Sequence, residues 1–189
     1  NQEYDRFGVD VEVSDRALYE IYLPAFKAAV QRGKAWAIMG SYNCYKGQHC
    51  CHNQYLLNDI LRGEWGFDGV VVSDWGGVHN TREAAYNGLD MEFGTGTDGL
   101  SVSASDAYNH YFLARPFLEQ IKAGVIPESV VDGKVRNILR MMFRTTMNPN
   151  RPYGSFEDPA HGEAARQIAE EGIVLLQNRD NTLPIRLEK

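Results

Sequence analysis

Val70, Val71 and Val72, inside "GVVVSDWGG" (69–77), leave a strand no polar face, so the segment reads as one covered on both sides. Strands of that kind sit in parallel sheets flanked by helices, and the neighbouring sequence fits. From Ser14, a candidate N-cap, apolar residues recur at Leu18, Ile21, Tyr22, Ala25, Phe26 and Ala29, which predicts a helix bent at Pro24 and closed by Gly33. "AWAIMGSYN" follows as a short strand-type run, then a second helix around 53–61, then the turn-like "EWGFDG" that leads into the valines. "TREAAYNG" and "LDMEFG" repeat the unit as a short helix and a strand end closed by Gly94. Alternation of this sort predicts parallel strands joined by right-handed crossovers, with chemistry at the C-terminal strand ends. Tyr42, Asp74 and Glu92 each fall at such an end.

Further along, the Gly- and Ser-rich stretch with interleaved aromatics over 94–112 reads as a long loop across that face. Val131, Val135, Ile138, Leu139 and Met142 predict a helix begun near Pro127. "TTMNPNRPYGSFEDPAHG" holds three prolines and two glycines, the composition of an interdomain linker. Beyond it "EAARQIAEEG" is helical and "IVLLQN" has a buried-strand pattern. One helix and one strand bury no core, and the chain opens on Asn1 without an initiator Met or a signal-like start, so an internal piece of a longer protein is expected.

With 43% hydrophobic and 23% charged residues the chain has the composition of a folded globular protein. A net charge of −6 and the absence of a basic stripe exclude a nucleic-acid footprint and favour a neutral or small substrate. No apolar run reaches the roughly 18 residues a membrane span needs. Cys44, Cys50 and Cys51 lie close together in "CYKGQHCCH". Cys44 with either neighbour would staple a local loop, or the three are packed thiols; with His49 and His52 they also suggest a metal cluster, against which stands the missing C-x2-C spacing.

An acid directly after a buried strand has an ordinary use as a turn or cap residue. Trp75 beside Asp74 points elsewhere: a broad aromatic face next to a carboxylate holds the apolar face of a sugar while the anion sits under the anomeric carbon. Taken singly, Arg6 reads as a surface ion pair with Asp5 or Glu3, Tyr42 as a half-buried core aromatic and His79 as a loop residue. Glu92 has the strand-end position of an acid, although a structural role is the stronger reading.

Together "NQEYDR", "MGSYN", "LLNDILRGEWGFDGVVVSDWGG", "NGLDME" and "IAEEGIVLLQN" ahead of "LPI" resemble glycoside hydrolase family 3, in particular its bacterial β-glucosidases, in order and over nearly the whole chain. "GFDGVVVSDW" is the most specific part. The resemblance implies the C-terminal part of a (β/α)8 TIM-type barrel over 1–146, a linker over 147–162 and the start of an α/β sandwich domain over 163–189. It implies retaining, exo-acting hydrolysis of terminal non-reducing β-D-glucosyl residues, from a β-glucoside or β-linked gluco-oligosaccharide, without cofactor or metal. Asp74 is then the nucleophile, with Arg6, Tyr42 and Trp75 binding substrate. Further sugar-binding residues are expected ahead of Asn1 and the general acid from the second domain, with Glu92 as a weak local candidate. A β-xylosidase of the same family and an inactive carbohydrate-binding remnant are the alternatives, and export to the periplasm or outside the cell accompanies the resemblance.

Overall fold

The structure, a computed structural model, describes residues 3–94 and 107–185. Its contacts divide the chain into two compact units, Asn1–Pro149 and Asn150–Lys189.

In the first unit the valine run is the central strand. β1 (Ala37–Met39) runs parallel to β4 (Val70–Val72), pairing Ala37 with Val70, Ile38 with Val71 and Met39 with Val72. On the other side of β4, Met91 forms a parallel bridge to Val72, and the Asp90 and Ser73 amides bond to Val71 O and Met91 O, each at 2.9 Å. "LDMEFG" therefore lies along the sheet as expected, shortened to a bridge. Val70 and Val71 are 0% exposed, as an uninterrupted apolar strand requires. Gly69 is dictated by the approach of β1: a Cβ there would stand 2.3 Å from Trp36 O. A second sheet, the hairpin β2 (Cys44–Tyr45) and β3 (Gln48–His49), was not foreseen. Its turn residues Lys46 and Gly47 have φ of 54° and 76°, the left-handed backbone that a two-residue hairpin turn demands.

The first helix, α1 (15–31), is capped by Ser14, whose Oγ accepts from Ala17 N. It is not kinked by proline alone. Leu18–Tyr22 adopts π-helical geometry, and Pro24, which has no N–H to give, sits in the first turn of the α-helical part Leu23–Gln31. α2 (Tyr55–Glu64), also of π geometry, starts later and ends later than its periodicity suggested, because Asn53 caps rather than joins it, accepting from Leu56 N at 2.9 Å. Leu57, Ile60 and Leu61 of α2 join Val71, Phe67, Trp65, Val78 and Leu89 in the main core. α3 (Thr81–Tyr86), α4 (Arg115–Lys122) and α5 (Ser129–Arg144) complete the unit, with Ala85, Phe117 and Ile126 as a second core. Most of the long loop lies outside the described residues; its end forms a 3₁₀ turn, Ala107–His110.

Of the readings left open for the cysteines, unbridged thiols hold and the loop staple does not: Cys44 is in β2, Cys50 belongs to the main core and Cys51 is wholly enclosed. One expectation needs correction. "IVLLQN" is neither paired nor buried; Leu176 is 92% exposed. A strand of that pattern is paired by neighbouring strands and covered by helices, and no strand among the described residues of the second unit adjoins it. That unit consists chiefly of α6 (Pro159–Gly172), which Asp158 caps through Ala160 N, so the helix begins within the proline-rich stretch.

Lys134 on α5 is buried, its Nζ donating to Ala84 O at 2.9 Å and to Leu89 O. Burial pulls its pKa down to about 8; Asp90 opposes the shift and Arg62 adds to it. The unfolded chain, with Lys near 10.5, therefore binds a proton that the folded chain releases between these values. Stability should rise with pH across that window and be flat below it, by about 3 kcal/mol for this residue. Urea titrations at both ends of the window are expected to show that rise, and Lys134→Met to remove it.

Candidate active site

Because β1, β4 and the 89–94 segment are parallel neighbours, their C-terminal ends bring Tyr42, Asp74 and Glu92 to one rim. Burial, then hydrogen bonding to and the charge of the neighbouring Asp74 carboxylate, raise the Tyr42 phenol's pKa, while the Arg6 guanidinium draws it down. Asp74 Oδ1 accepts from Trp75 N at 2.7 Å. The carboxylate thus sits between this amide and the phenol.

Trp75 is 71% exposed, an unusual position for an indole and one that offers a flat apolar face next to the acid. The chain behind it is tight. A Cβ at Gly94 would lie 3.3 Å from Trp75 Cβ and Cγ, and Gly94 has a φ of 42°, so glycine is required on both counts. Gly76 N donates to Phe93 O at 3.1 Å, tying the Trp75 loop to the next strand end.

Arg6 lies with its guanidinium carbon 5.3 Å from the Tyr42 ring centroid and 5.0 Å from that of Phe7, whose ring is 4.6 Å from Tyr42. It also pairs with Glu3. Both readings of Arg6 therefore meet in one residue: a surface ion pair that stands over the site's aromatic wall. Glu92 uses its two oxygens on the backbone, accepting from Phe112 N at 3.2 Å and Leu113 N at 2.7 Å. That holds the backbone at Phe112 and Leu113 against the rim.

Sequence reasoning read Cys51 and His52 only as a loop staple, packed thiols or metal ligands, and passed over Asp90. Cys51 lies under the site: its thiol donates to Ser41 O at 3.4 Å, and burial above all pushes its pKa up to about 12, with the nearby Asp74 backbone opposing the shift. A Cβ on Gly77 would come within 2.6 Å of its sulfur. Nothing in "HCCHN" distinguishes these thiols from surface ones, since only the close passage of Gly40 and Gly77 encloses Cys51. His79, expected in a loop, gives its backbone N–H to His52 Nε2 at 3.2 Å. Among the described residues no three His, Cys, Asp or Glu side chains are grouped to hold a metal ion, and no helix is long and apolar enough to cross a membrane.

Residues 7–141 match the model of the glycosyl hydrolase family 3 N terminal domain. The chain is 53% identical to beta-glucosidase BoGH3A of Bacteroides ovatus over 94% of its own length and 24% of that protein's. It is 38% identical to an exo-alpha-(1->6)-L-arabinopyranosidase of Bifidobacterium longum, over 98% of this chain and 22% of the other. Among solved structures, DesR, a beta-glucosidase from Streptomyces venezuelae in complex with D-glucose, superposes with a TM-score of 0.78 at 32% identity, covering 98% of this chain and 24% of that one. The chain thus spans about a quarter of the length of the relatives it matches.

Proposed function

The chain belongs to glycosyl hydrolase family 3, and from that premise we propose that it supplies the nucleophile and part of the sugar site of a retaining, exo-acting β-glucosidase. The observation that carries the reading is the Asp74 carboxylate at the end of β4, held by the Trp75 amide, with the Tyr42 phenol beside it and the exposed Trp75 indole next to it. In the first step an Asp74 oxygen forms a bond to the anomeric carbon as the bond to the leaving oxygen breaks; that oxygen takes a proton from a general acid. Water then attacks the same carbon, gives its proton to the acid's conjugate base, and frees Asp74. Trp75 covers the sugar's apolar face, Arg6 donates to its hydroxyls, and Tyr42 orients the carboxylate.

Glu92, with both oxygens on backbone amides, is assigned to holding the rim, so the acid comes from residues outside this chain. In domain terms, 1–146 form the C-terminal portion of a (β/α)8 barrel, 147–162 the linker and 163–189 the opening of an α/β sandwich. A pentoside substrate, β-xyloside or α-L-arabinopyranoside, is the second reading, favoured by the name of the Bifidobacterium longum relative.

The test is to incubate the full-length protein that carries these residues with a 2-deoxy-2-fluoro-β-glucosyl donor and sequence the labelled peptide by mass spectrometry. A fluoroglucosyl adduct on Asp74 is expected. Turnover of p-nitrophenyl β-glucoside with the adduct on another carboxylate overturns the assignment, and neither turnover nor adduct, with retained sugar binding, identifies a binding remnant. Faster turnover of the corresponding pentosides would move the substrate to the second reading.

A further inference from the structure

The loop that leaves Asp74 runs through Trp75, Gly76, Gly77 and Val78 to His79 and then Asn80, the N-cap of α3. Its near end is tied by Gly77 N to Asp74 O at 3.1 Å and by Gly76 N to Phe93 O. At its far end the His79 backbone meets the imidazole of His52, whose side chain is 1% exposed. Because the His79 backbone N–H points at Nε2 at 3.2 Å, Nε2 must offer a lone pair. Nδ1 lies 2.8 Å from Glu83 Oε2 on α3, a close approach of ring and carboxylate without hydrogen-bond alignment. The acceptor role of Nε2 by itself selects the neutral tautomer protonated on Nδ1. Two further imidazoles extend the arrangement toward the site. The His49 ring stacks on that of His79 at 3.9 Å and 24°, and His49 Nδ1 lies 2.8 Å from Tyr42 O.

A proton added to His52 can go only to Nε2, where it meets the His79 N–H; an acceptor becomes a donor and the loop's far tie is lost. Burial is the main force holding the ring neutral, lowering its pKa from 6.5. Glu83 on α3 works the other way, while His49 of the hairpin and His79 of the loop add to burial; Asn87, which donates to His52 O at 2.9 Å, carries no charge.

We infer that His52 is a positioning residue: its neutral, Nδ1-protonated ring latches the loop that carries Asp74 and Trp75, and its protonation releases that loop. The consequence for catalysis rests on the reading of Asp74 as nucleophile; the latch itself does not.

Hydrogen exchange of the peptide covering 75–79, followed by mass spectrometry in the full-length protein from about pH 8 to about pH 4, tests it without substrate. After correction for intrinsic rates, protection should fall about tenfold or more somewhere below 6.5. His52→Gln, which presents the same acceptor and donor without titrating, should keep protection through that range. Unchanged protection in the unmutated protein, or an equal loss at the same pH in His52→Gln, overturns the latch. In the same variant the acid limb of kcat/KM should move to lower pH, and an unmoved limb overturns the catalytic role. Absence of any glycosidase turnover would sink the reading of Asp74 while the exchange data still decide on His52.

Discussion

Asp74→Asn should lower kcat/KM for p-nitrophenyl β-glucoside by roughly 10⁴- to 10⁶-fold, the scale seen when a residue that forms the covalent intermediate is removed. The side chain keeps its shape and an oxygen to accept from Trp75 N, now at 2.7 Å, so the loop should stay and the stability should change little. What is lost is the anion. The Tyr42 phenol provides a second readout: part of its raised pKa comes from the hydrogen bond and charge of Asp74, so the variant's Tyr42 should titrate lower than in the unmutated protein, by absorbance against a Tyr42→Phe control. A variant that keeps turnover within about tenfold would show that Asp74 only supports the site, and the nucleophile would have to be sought elsewhere.

Different kinds of residue were legible in the sequence to different degrees. Val70–Val72 announced a buried parallel strand, because three consecutive apolar residues leave no alternative face, and the strand-end rule then picked out Tyr42 and Asp74. Pairings that depend on a neighbour's approach were hidden. The hairpin 44–49 rests on a two-residue turn with Lys rather than Asn or Asp in its first left-handed position, so the usual turn signal was missing. Cys51 and His52 looked like part of a polar, ligand-rich loop, and only the passage of Gly40, Gly77 and His79 over them makes them an enclosed floor. "IVLLQN" was misjudged for the opposite reason: its composition states the burial it is suited to, whereas burial itself needs partner strands that the described residues of its unit do not supply.

Asp90→Ala is expected to cost about 3–5 kcal/mol of stability, the range for removing one member of a buried charged pair. Asp90 lies two residues before Glu92 in the same extended segment, and all its capacity goes into the fold. Its Oδ2 accepts from Arg62 Nη2 at 2.6 Å and from Val71 N at 2.7 Å, and its Oδ1 from Asn137 Nδ2 at 2.8 Å. Removing it strands the guanidinium of Arg62, which still bonds Gly88 O, and leaves the Val71 amide of the central strand without that acceptor in a fully buried place. Urea unfolding should show the loss, and Asp90→Asn, whose one oxygen can still accept from Arg62 and Val71 N while its amide faces Asn137 Nδ2, should recover part of it. Because Asp90 does not reach the Asp74 rim, the fraction of Asp90→Ala that stays folded should turn over substrate at close to the normal kcat. A loss below about 1 kcal/mol would mean that water replaces the carboxylate, whereas a collapse of kcat in folded protein would mean that the network transmits to the rim. Three acids on two neighbouring segments of one sheet thus part company by what their oxygens meet: Asp90 closes the sheet against α2 and α5, Glu92 clasps the Phe112–Leu113 backbone, and Asp74, steadied by the Trp75 amide, is the one set beside an exposed indole.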